Sequence, residues 1–148
     1  MADTPEPLFE LLNEVAIISQ LSGSLFEARL PDGFLVSHFG VLNHLLRVND
    51  APTPRTLARS FQVPKTTMTH TLSGLARHGL IRFEPNPRDG RSKCVRITEA
   101  GRRFHGDAIA AIGPDLAALA ARIDTAHLAG TLPALRELRA ALDAMRDV

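Results

Sequence analysis

Hydrophobic residues recur every three or four positions near the start of the chain, which is the spacing of one helix face. The apolar positions of this stretch are Leu8, Leu11, Leu12, Val15, Ile18, Leu21 and Leu25. Thr4-Pro5 predicts where the helix begins, because threonine caps a helix and proline suits its first turn. Pro31-Asp32-Gly33 predicts where it ends. The apolar face is wide, and few residues nearby in the sequence can cover it.

The same spacing predicts a second helix over residues 33–47, with Asp32 as its cap. Thr53-Pro54 repeats the cap-and-proline signature and predicts a short third helix. Gln62-Val63 is expected to make a sharp turn before a fourth helix over residues 64–78.

The predicted fourth helix has two chemically different faces. Met68, Leu72 and Leu75 are spaced four and three residues apart and form its core side. The opposite side presents short hydrogen-bonding groups and one cation, namely Lys65, Thr66, Thr69, His70 and Ser73. This composition suits the base edges of a DNA major groove.

A hairpin is predicted after Gly79, which is expected to end the fourth helix. Residues 80–83 and 93–97 read as its strands, and the alternation places Val95 inward and Cys94 outward. The connecting segment PNPRDGRS is rich in turn-forming residues and cations. Two short helices followed by such a hairpin predict a winged helix-turn-helix.

Helical spacing returns at Thr98, the expected cap of a helix with Phe104, Ala108, Ala111 and Ile112 on one face. Gly113-Pro114 is expected to kink or break that helix. Asp124 is expected to cap a final helix that bends at Pro133. The predicted fold is therefore mainly α with a small β hairpin.

Charge distinguishes the central part of the chain. Residues 53–98 contain nine Lys/Arg and two acids, a net charge of +7, whereas the whole chain carries only +1 and the remainder therefore −6. A positive block on an otherwise acidic molecule is typical of a nucleic-acid surface. A solvated basic face would give the same charge count.

Length and composition narrow the class of protein. The 148 residues suit one domain, and a single cysteine excludes an internal disulfide. No apolar run approaches the ~20 residues that span a bilayer, and the acidic N-terminus does not resemble a secretory signal. We therefore expect a cytoplasmic protein without a membrane partner. The chain has no Gly-rich phosphate loop, HExxH or GxSxG motif, so neither an enzyme nor a cofactor is expected.

Three motifs carry a resemblance to a known family. They are LARSFQVPKTTMTHTLSGLARHGLI (Leu57 to Ile81), DGR (Asp89 to Arg91) and VRITEAG (Val95 to Gly101). Together they resemble the MarR (multiple antibiotic resistance regulator) family of winged-helix transcriptional regulators. The resemblance implies one domain over residues 1–148, with a DNA-binding lobe at 33–98 and homodimerisation helices at 4–32 and 99–148.

The resemblance also implies which residues meet DNA. The recognition helix, residues 64–78, would enter the major groove, and the wing tip would reach the minor groove or its phosphates. The implied DNA-binding residues are Arg55, Lys65, Thr66, Thr67, Thr69, His70, Ser73, Arg88, Asp89, Arg91 and Lys93. Asp89 is expected to hold the wing arginine through a charged hydrogen bond. Gly90 and His70 stand where the family often has arginine, and Pro64 where it often has serine.

The implied function is sequence-specific binding of a homodimer to a palindromic double-stranded operator, as a repressor relieved by a small molecule. Phe34, His38, Phe39 and Phe104 are the residues expected to line a pocket for a lipophilic or phenolic effector, and core aromatics are the alternative. The competing function is a winged helix used only for protein contacts.

Two other residue types suggest chemistry more weakly. Cys94, expected to face outward between Lys93 and Arg96, could sense oxidants, but the chain has no second cysteine to resolve an oxidised thiol, and an incidental strand thiol is the preferred interpretation. The six histidines lack ligand spacing, so no metal site is expected.

Overall fold

The computed structural model describes residues 6–48 and 50–146 of the chain. The elements in this part are α1 (Glu6–Glu27), α2 (Val36–Arg47), α3 (Pro54–Ser60), α4 (Lys65–Arg77), β1 (Ile81–Pro85), β2 (Lys93–Ile97), α5 (Glu99–Ala120), α6 (Thr125–Ala129) and α7 (Leu132–Met145). The predicted class, mainly α with a two-stranded hairpin, is confirmed. Contacts divide the chain into two compact units with the boundary between Ile112 and Gly113.

The junction between α1 and α2 differs from the sequence prediction. The expected start of α1 at Thr4-Pro5 lies outside the described residues, but the prediction that Asp32 caps α2 is wrong. Gly33 has a φ of 87° and belongs to a turn. The helix begins three residues later, where the backbone N–H of Leu35 donates to Nδ1 of His38 at 2.8 Å. A long-range hydrogen bond, from Val36 N to Oε1 of Glu27 at 2.8 Å, joins the two helices.

The helix-turn-helix follows its local signals closely. Thr53 Oγ1 accepts a hydrogen bond from Thr56 N at 3.2 Å, so the predicted cap of α3 is confirmed. Gln62 takes a left-handed conformation, with φ 53°, at the turn before α4. Gly79 has a φ of 70° after α4, as expected of a glycine that ends a helix.

Both faces of β2 are buried near its middle, whereas the alternation predicted one buried and one exposed face. Val95 pairs with Phe83 and Cys94 with Glu84 in an antiparallel register. Val95 faces the core, yet Cys94 is also buried, with only 7 % of its surface exposed. The expectation that Cys94 faces outward is therefore wrong. Residues 51–53 run along the free edge of β2, where Val95 N donates to the Pro52 carbonyl at 2.8 Å.

The C-terminal helices correct two further predictions. The prediction of a kink or break at Gly113-Pro114 is wrong as to the break, because α5 continues through these residues. Asp124 does cap a helix, accepting from His127 N at 3.1 Å, but that helix ends after five residues. Pro133 lies in the first turn of a separate α7, where its missing N–H costs no hydrogen bond.

The hydrophobic core of the first unit lies under the helix-turn-helix and the hairpin. Its buried members are Val41, Leu42, Leu45, Leu57, Ala58, Met68, Leu72, Leu75, Leu80, Ile81 and Val95. The three core residues predicted on α4 are all among them. No described residue of α1 is fully buried, and the ring of Phe26 in its last turn packs on Phe39. Among the described residues, no helix is both long and apolar enough to cross a membrane.

Candidate nucleic-acid interface

Helix α4 carries the predicted polar face at its surface. Met68, Leu72 and Leu75 are buried, and the side chains expected to meet DNA are exposed, namely Lys65, Thr66, Thr67, Thr69, His70 and Ser73. With about 100° of rotation per residue, all of these except Thr67 fall within an arc of roughly 140°. Thr67 lies roughly 60° outside this arc, and its carbonyl accepts a hydrogen bond from Thr71 Oγ1 at 3.2 Å. The polar stripe is about 12 Å long at a rise of 1.5 Å per residue.

The wing tip, residues 86–92, is held by hydrogen bonds within the loop. Asn86 Nδ2 donates to Ser92 Oγ at 2.9 Å, and Arg88 N donates to Asn86 Oδ1 at 3.0 Å. Arg91 N donates to Asp89 Oδ1 at 3.0 Å. These asparagine and aspartate turns fix the backbone and leave the cationic side chains exposed. The tip is therefore braced even though Gly90 lies within it.

The role predicted for Asp89 changes in detail. Its carboxylate accepts from the backbone of Arg91, and in the described chain no ion pair joins it to a guanidinium. The side chain is short and lies two residues before Arg91, which favours the local turn. Asp89 thus fixes the backbone of the wing tip, whereas it was expected to form a hydrogen bond to the arginine side chain.

The wing cations fall into two groups. Arg82 and Arg96, on the strands, both bind the carboxylate of Glu84. Arg88, Arg91 and Lys93, at or beside the tip, are exposed and have no carboxylate partner among the described residues. Arg55, in the first turn of α3, is also exposed. Sequence reasoning counted all nine cations of the basic block alike, because the Glu84 contacts depend on the strand register.

The residues predicted to line an effector pocket separate into two clusters. The Phe34 ring lies 4.6 Å from that of Phe104 and 5.5 Å from that of His38. Phe39 instead lies 4.6 Å from Phe26 and stacks on His105 at 4.9 Å. Phe34 and His38 line a cavity of about 260 Å³ against α4, but Phe39 and Phe104 do not.

Three histidines that are far apart in the sequence border that same cavity. His38, His70 and His78 all line it, and the His78 ring lies 4.8 Å from Phe34. Burial lowers the pKa of His38, and the neighbouring His70 and His78 lower it further. Within the described residues, no group of three His, Cys, Asp or Glu side chains is arranged to hold a metal ion.

A larger cavity, of about 650 Å³, lies between α3 and the wing. Thr53, Thr56, Arg88, Cys94 and Arg96 are among its walls. Sequence reasoning did not find it, because the walls come from stretches up to about fifty residues apart and no motif marks them.

The arrangement of α3, α4 and the hairpin defines a winged helix-turn-helix. Residues 32–92 match the model of the MarR family. This match confirms, over the winged-helix segment, the resemblance to the MarR family that the motifs carry. No curated protein matches the chain.

Solved structures share the fold over most of the chain. The transcriptional regulator BldR from Sulfolobus solfataricus is 22 % identical with a TM-score of 0.77, covering 95 % of this chain and 99 % of its own. A mutant of MarR from E. coli complexed with operator DNA is 23 % identical with a TM-score of 0.68, covering 93 % and 99 %. The PcaV transcriptional regulator from Streptomyces coelicolor, in complex with its natural ligand, is 23 % identical with a TM-score of 0.63, covering 95 % of each chain.

Proposed function

We propose that this chain is a homodimeric transcriptional regulator that binds double-stranded DNA sequence-specifically. The observation that carries the proposal is the exposed polar stripe of α4, followed by a wing whose tip is held by internal hydrogen bonds and has three exposed cations at or beside it. Hydroxyl and imidazole groups can read base edges, whereas arginine and lysine position a protein on phosphates. The E. coli MarR mutant, which has this fold, was solved on operator DNA.

The proposed contacts follow from this division of side chains. Lys65, Thr66, Thr69, His70 and Ser73 face the major groove, with Thr67 beside the same surface. Arg88, Arg91 and Lys93 reach phosphates or the minor groove beside it, and Arg55 reaches the backbone from α3. Asp89 contributes by fixing the tip backbone.

The proposed domain organisation assigns residues 33–98 to DNA binding and residues 4–32 and 99–148 to dimerisation. A single winged module buries only about 600–1,000 Å² on DNA, so a second copy on a palindrome adds affinity. Helix α1 leaves a row of large apolar side chains exposed, including Leu11, Val15 and Ile18. A second chain that covers this row would account for it.

The proposed regulation is repression relieved by a small lipophilic or phenolic molecule. The cavity lined by Phe34 and His38 adjoins Thr71, Gly74 and Arg77 of α4. A molecule bound there would contact the recognition helix directly. Repression needs only that the bound dimer covers the promoter.

The test is the salt dependence of binding to a random-sequence duplex. Each phosphate contact contributes about 0.9 to the slope of log affinity against log salt. We expect Arg91→Ala to weaken binding to every duplex and to lower the slope by about that amount. Arg103→Ala, which removes an exposed arginine of α5, should leave the slope unchanged. Thr69→Ala should change sequence preference without changing the slope.

The alternative is a winged helix that binds only protein. It predicts weak binding to duplex DNA with little salt dependence, in wild type and Arg91→Ala alike. The scarcity of exposed aromatic anchors on α4 argues against it, because protein interfaces favour such residues.

A further inference from the structure

Glu84 contacts two arginines on the face of the hairpin opposite to Val95. Arg82 and Arg96 are direct cross-strand partners, so their like charges would repel if nothing lay between them. Oε1 of Glu84 accepts from Arg82 Nε at 3.0 Å, and its Oε2 accepts from Arg96 Nε. One carboxylate therefore binds a different guanidinium through each oxygen. These two hydrogen bonds, Arg96 first, hold the pKa of Glu84 below its ordinary value.

The pairing divides the wing charge along its length. Five cations and two acids lie in residues 81–97. Arg82 and Arg96 share Glu84, whereas the three cations at or beside the tip have no carboxylate partner in the described part of the chain. A phosphate that approached the strands would meet a carboxylate already bound to both arginines. At the tip it would meet exposed cations.

We propose that Glu84 is a specificity-determining residue that withholds Arg82 and Arg96 from the DNA backbone and confines the wing contact to its tip. The proposal rests on the proposed DNA binding. Sequence-independent affinity grows with each phosphate contact, so two more available arginines would strengthen binding to any duplex. Glu84 lowers this non-specific affinity and leaves discrimination to α4. If Glu84 only held the two strands together, its loss would change folding stability and not the number of phosphates bound.

Glu84→Gln provides the direct test, since glutamine keeps the size of the side chain and removes its charge. Binding to a random-sequence duplex should tighten, and the salt slope should steepen by about 1–2 units for one or two new phosphate contacts. Glu99→Gln, which removes an exposed acid at the start of α5, is the charge-matched control and should change the slope little. Adding Arg82→Gln and Arg96→Gln to Glu84→Gln should return the slope to its wild-type value.

A second variant does not depend on whether Glu84→Gln folds. Arg82→Gln/Arg96→Gln with Glu84 intact should retain the wild-type slope, because those arginines do not reach DNA. A lower slope in this variant would overturn the proposal, as would an unchanged slope in a folded Glu84→Gln. If wild-type protein itself shows no salt-dependent binding, the proposed function fails, and that result differs from either outcome for Glu84.

Discussion

His38 lies near the start of α2 and contacts groups from several elements. Its Nδ1 accepts from Leu35 N, and its ring lies against Phe34. Burial lowers its pKa most, followed by the charges of His70 and His78 on and after α4, while Glu27 of α1 raises it. The net effect favours the neutral imidazole in the folded protein.

This shift predicts the direction of a pH effect on stability. A histidine whose folded pKa lies below its unfolded value of about 6.5 stabilises the fold above that value. The contribution is lost as the pH falls through the lower, folded pKa. We expect His38→Gln to show a smaller loss of unfolding free energy than wild type between pH 7.5 and 5.5, measured by urea denaturation at each pH.

The control for His38→Gln is His127→Gln, because His127 is exposed on α6. Its pH profile should follow that of wild type. His44 and His105 will keep part of the pH dependence in every variant, because burial lowers the pKa of both. Equal profiles for His38→Gln and wild type would contradict the assignment.

At the scale of elements, Thr98 and Gly101 join the hairpin, α4 and α5. Thr98 Oγ1 donates to the Gly79 carbonyl at 2.6 Å, and Thr98 N donates to the Leu80 carbonyl at 3.0 Å. Gly101 N in turn donates to Thr98 Oγ1 at 3.1 Å. A Cβ on Gly101 would lie 2.1 Å from the Leu80 carbonyl oxygen. Packing therefore explains the glycine that ends the segment TEAG (Thr98 to Gly101), since only glycine lets α5 approach the Leu80 carbonyl this closely.

Gly101→Ala should accordingly destabilise the protein. The clash involves backbone, which cannot rotate away, so α5 must shift from the base of the hairpin. Overpacking of this kind costs about 1–3 kcal/mol. Urea denaturation measures the change in unfolding free energy.

Gly106→Ala is the matched control on the same helix. A Cβ there meets no atom within 4 Å, so alanine should stabilise the helix by about 0.5–1 kcal/mol through its greater helix propensity. If both variants were stabilised alike, the close approach at Gly101 would not constrain the fold.

Sequence patterns predicted the elements well where each element depends on residues close to it in the chain. The Thr53 cap, the glycine at position 79, the buried side of α4 and strand β2 all depend on neighbours within a few residues, and all are confirmed. The failures at Asp32 and Cys94 have long-range causes. Glu27 binds the start of α2 from α1, and Cys94 is buried beside a cavity that it shares with Thr53 and Thr56, on a strand face that alternation assigns to solvent.

The candidate site was predictable to a similar extent. Helical periodicity alone gives the exposed stripe of α4. By contrast, the Glu84 contacts need the hairpin register, and the grouping of His38, His70 and His78 needs α2 packed near α4. Neither relation leaves a repeat or a spacing in the sequence.

At the scale of the whole molecule, the exposed apolar row of α1 is the feature that a lone chain does not explain. Leu11 is 44 % exposed, Ile18 59 % and Leu21 68 %. Contiguous apolar surface of this kind typically marks an interaction site. In the second unit, α7 also exposes large apolar residues, among them Leu142 and Met145. Both stretches lie in the segments proposed for dimerisation.

Ile18→Glu tests this organisation, because a carboxylate buried between two chains without a partner would strongly disfavour association. We expect sedimentation to show a wild-type dimer and an Ile18→Glu monomer at the same concentration. The monomer should retain the helical circular dichroism of a folded chain, since no residue of α1 is buried within it. Its affinity for duplex DNA should fall, because only one recognition helix then binds at a time.

Gln20→Glu separates the effect of charge from that of the interface. It adds the same charge two residues along α1, about 200° around the helix from Ile18, and should remain a dimer with little change in affinity. A dimeric Ile18→Glu would exclude α1 from the interface. A monomeric Ile18→Glu that bound DNA as tightly as wild type would instead show that one wing and one recognition helix suffice, and the palindromic operator would then lose its physical basis.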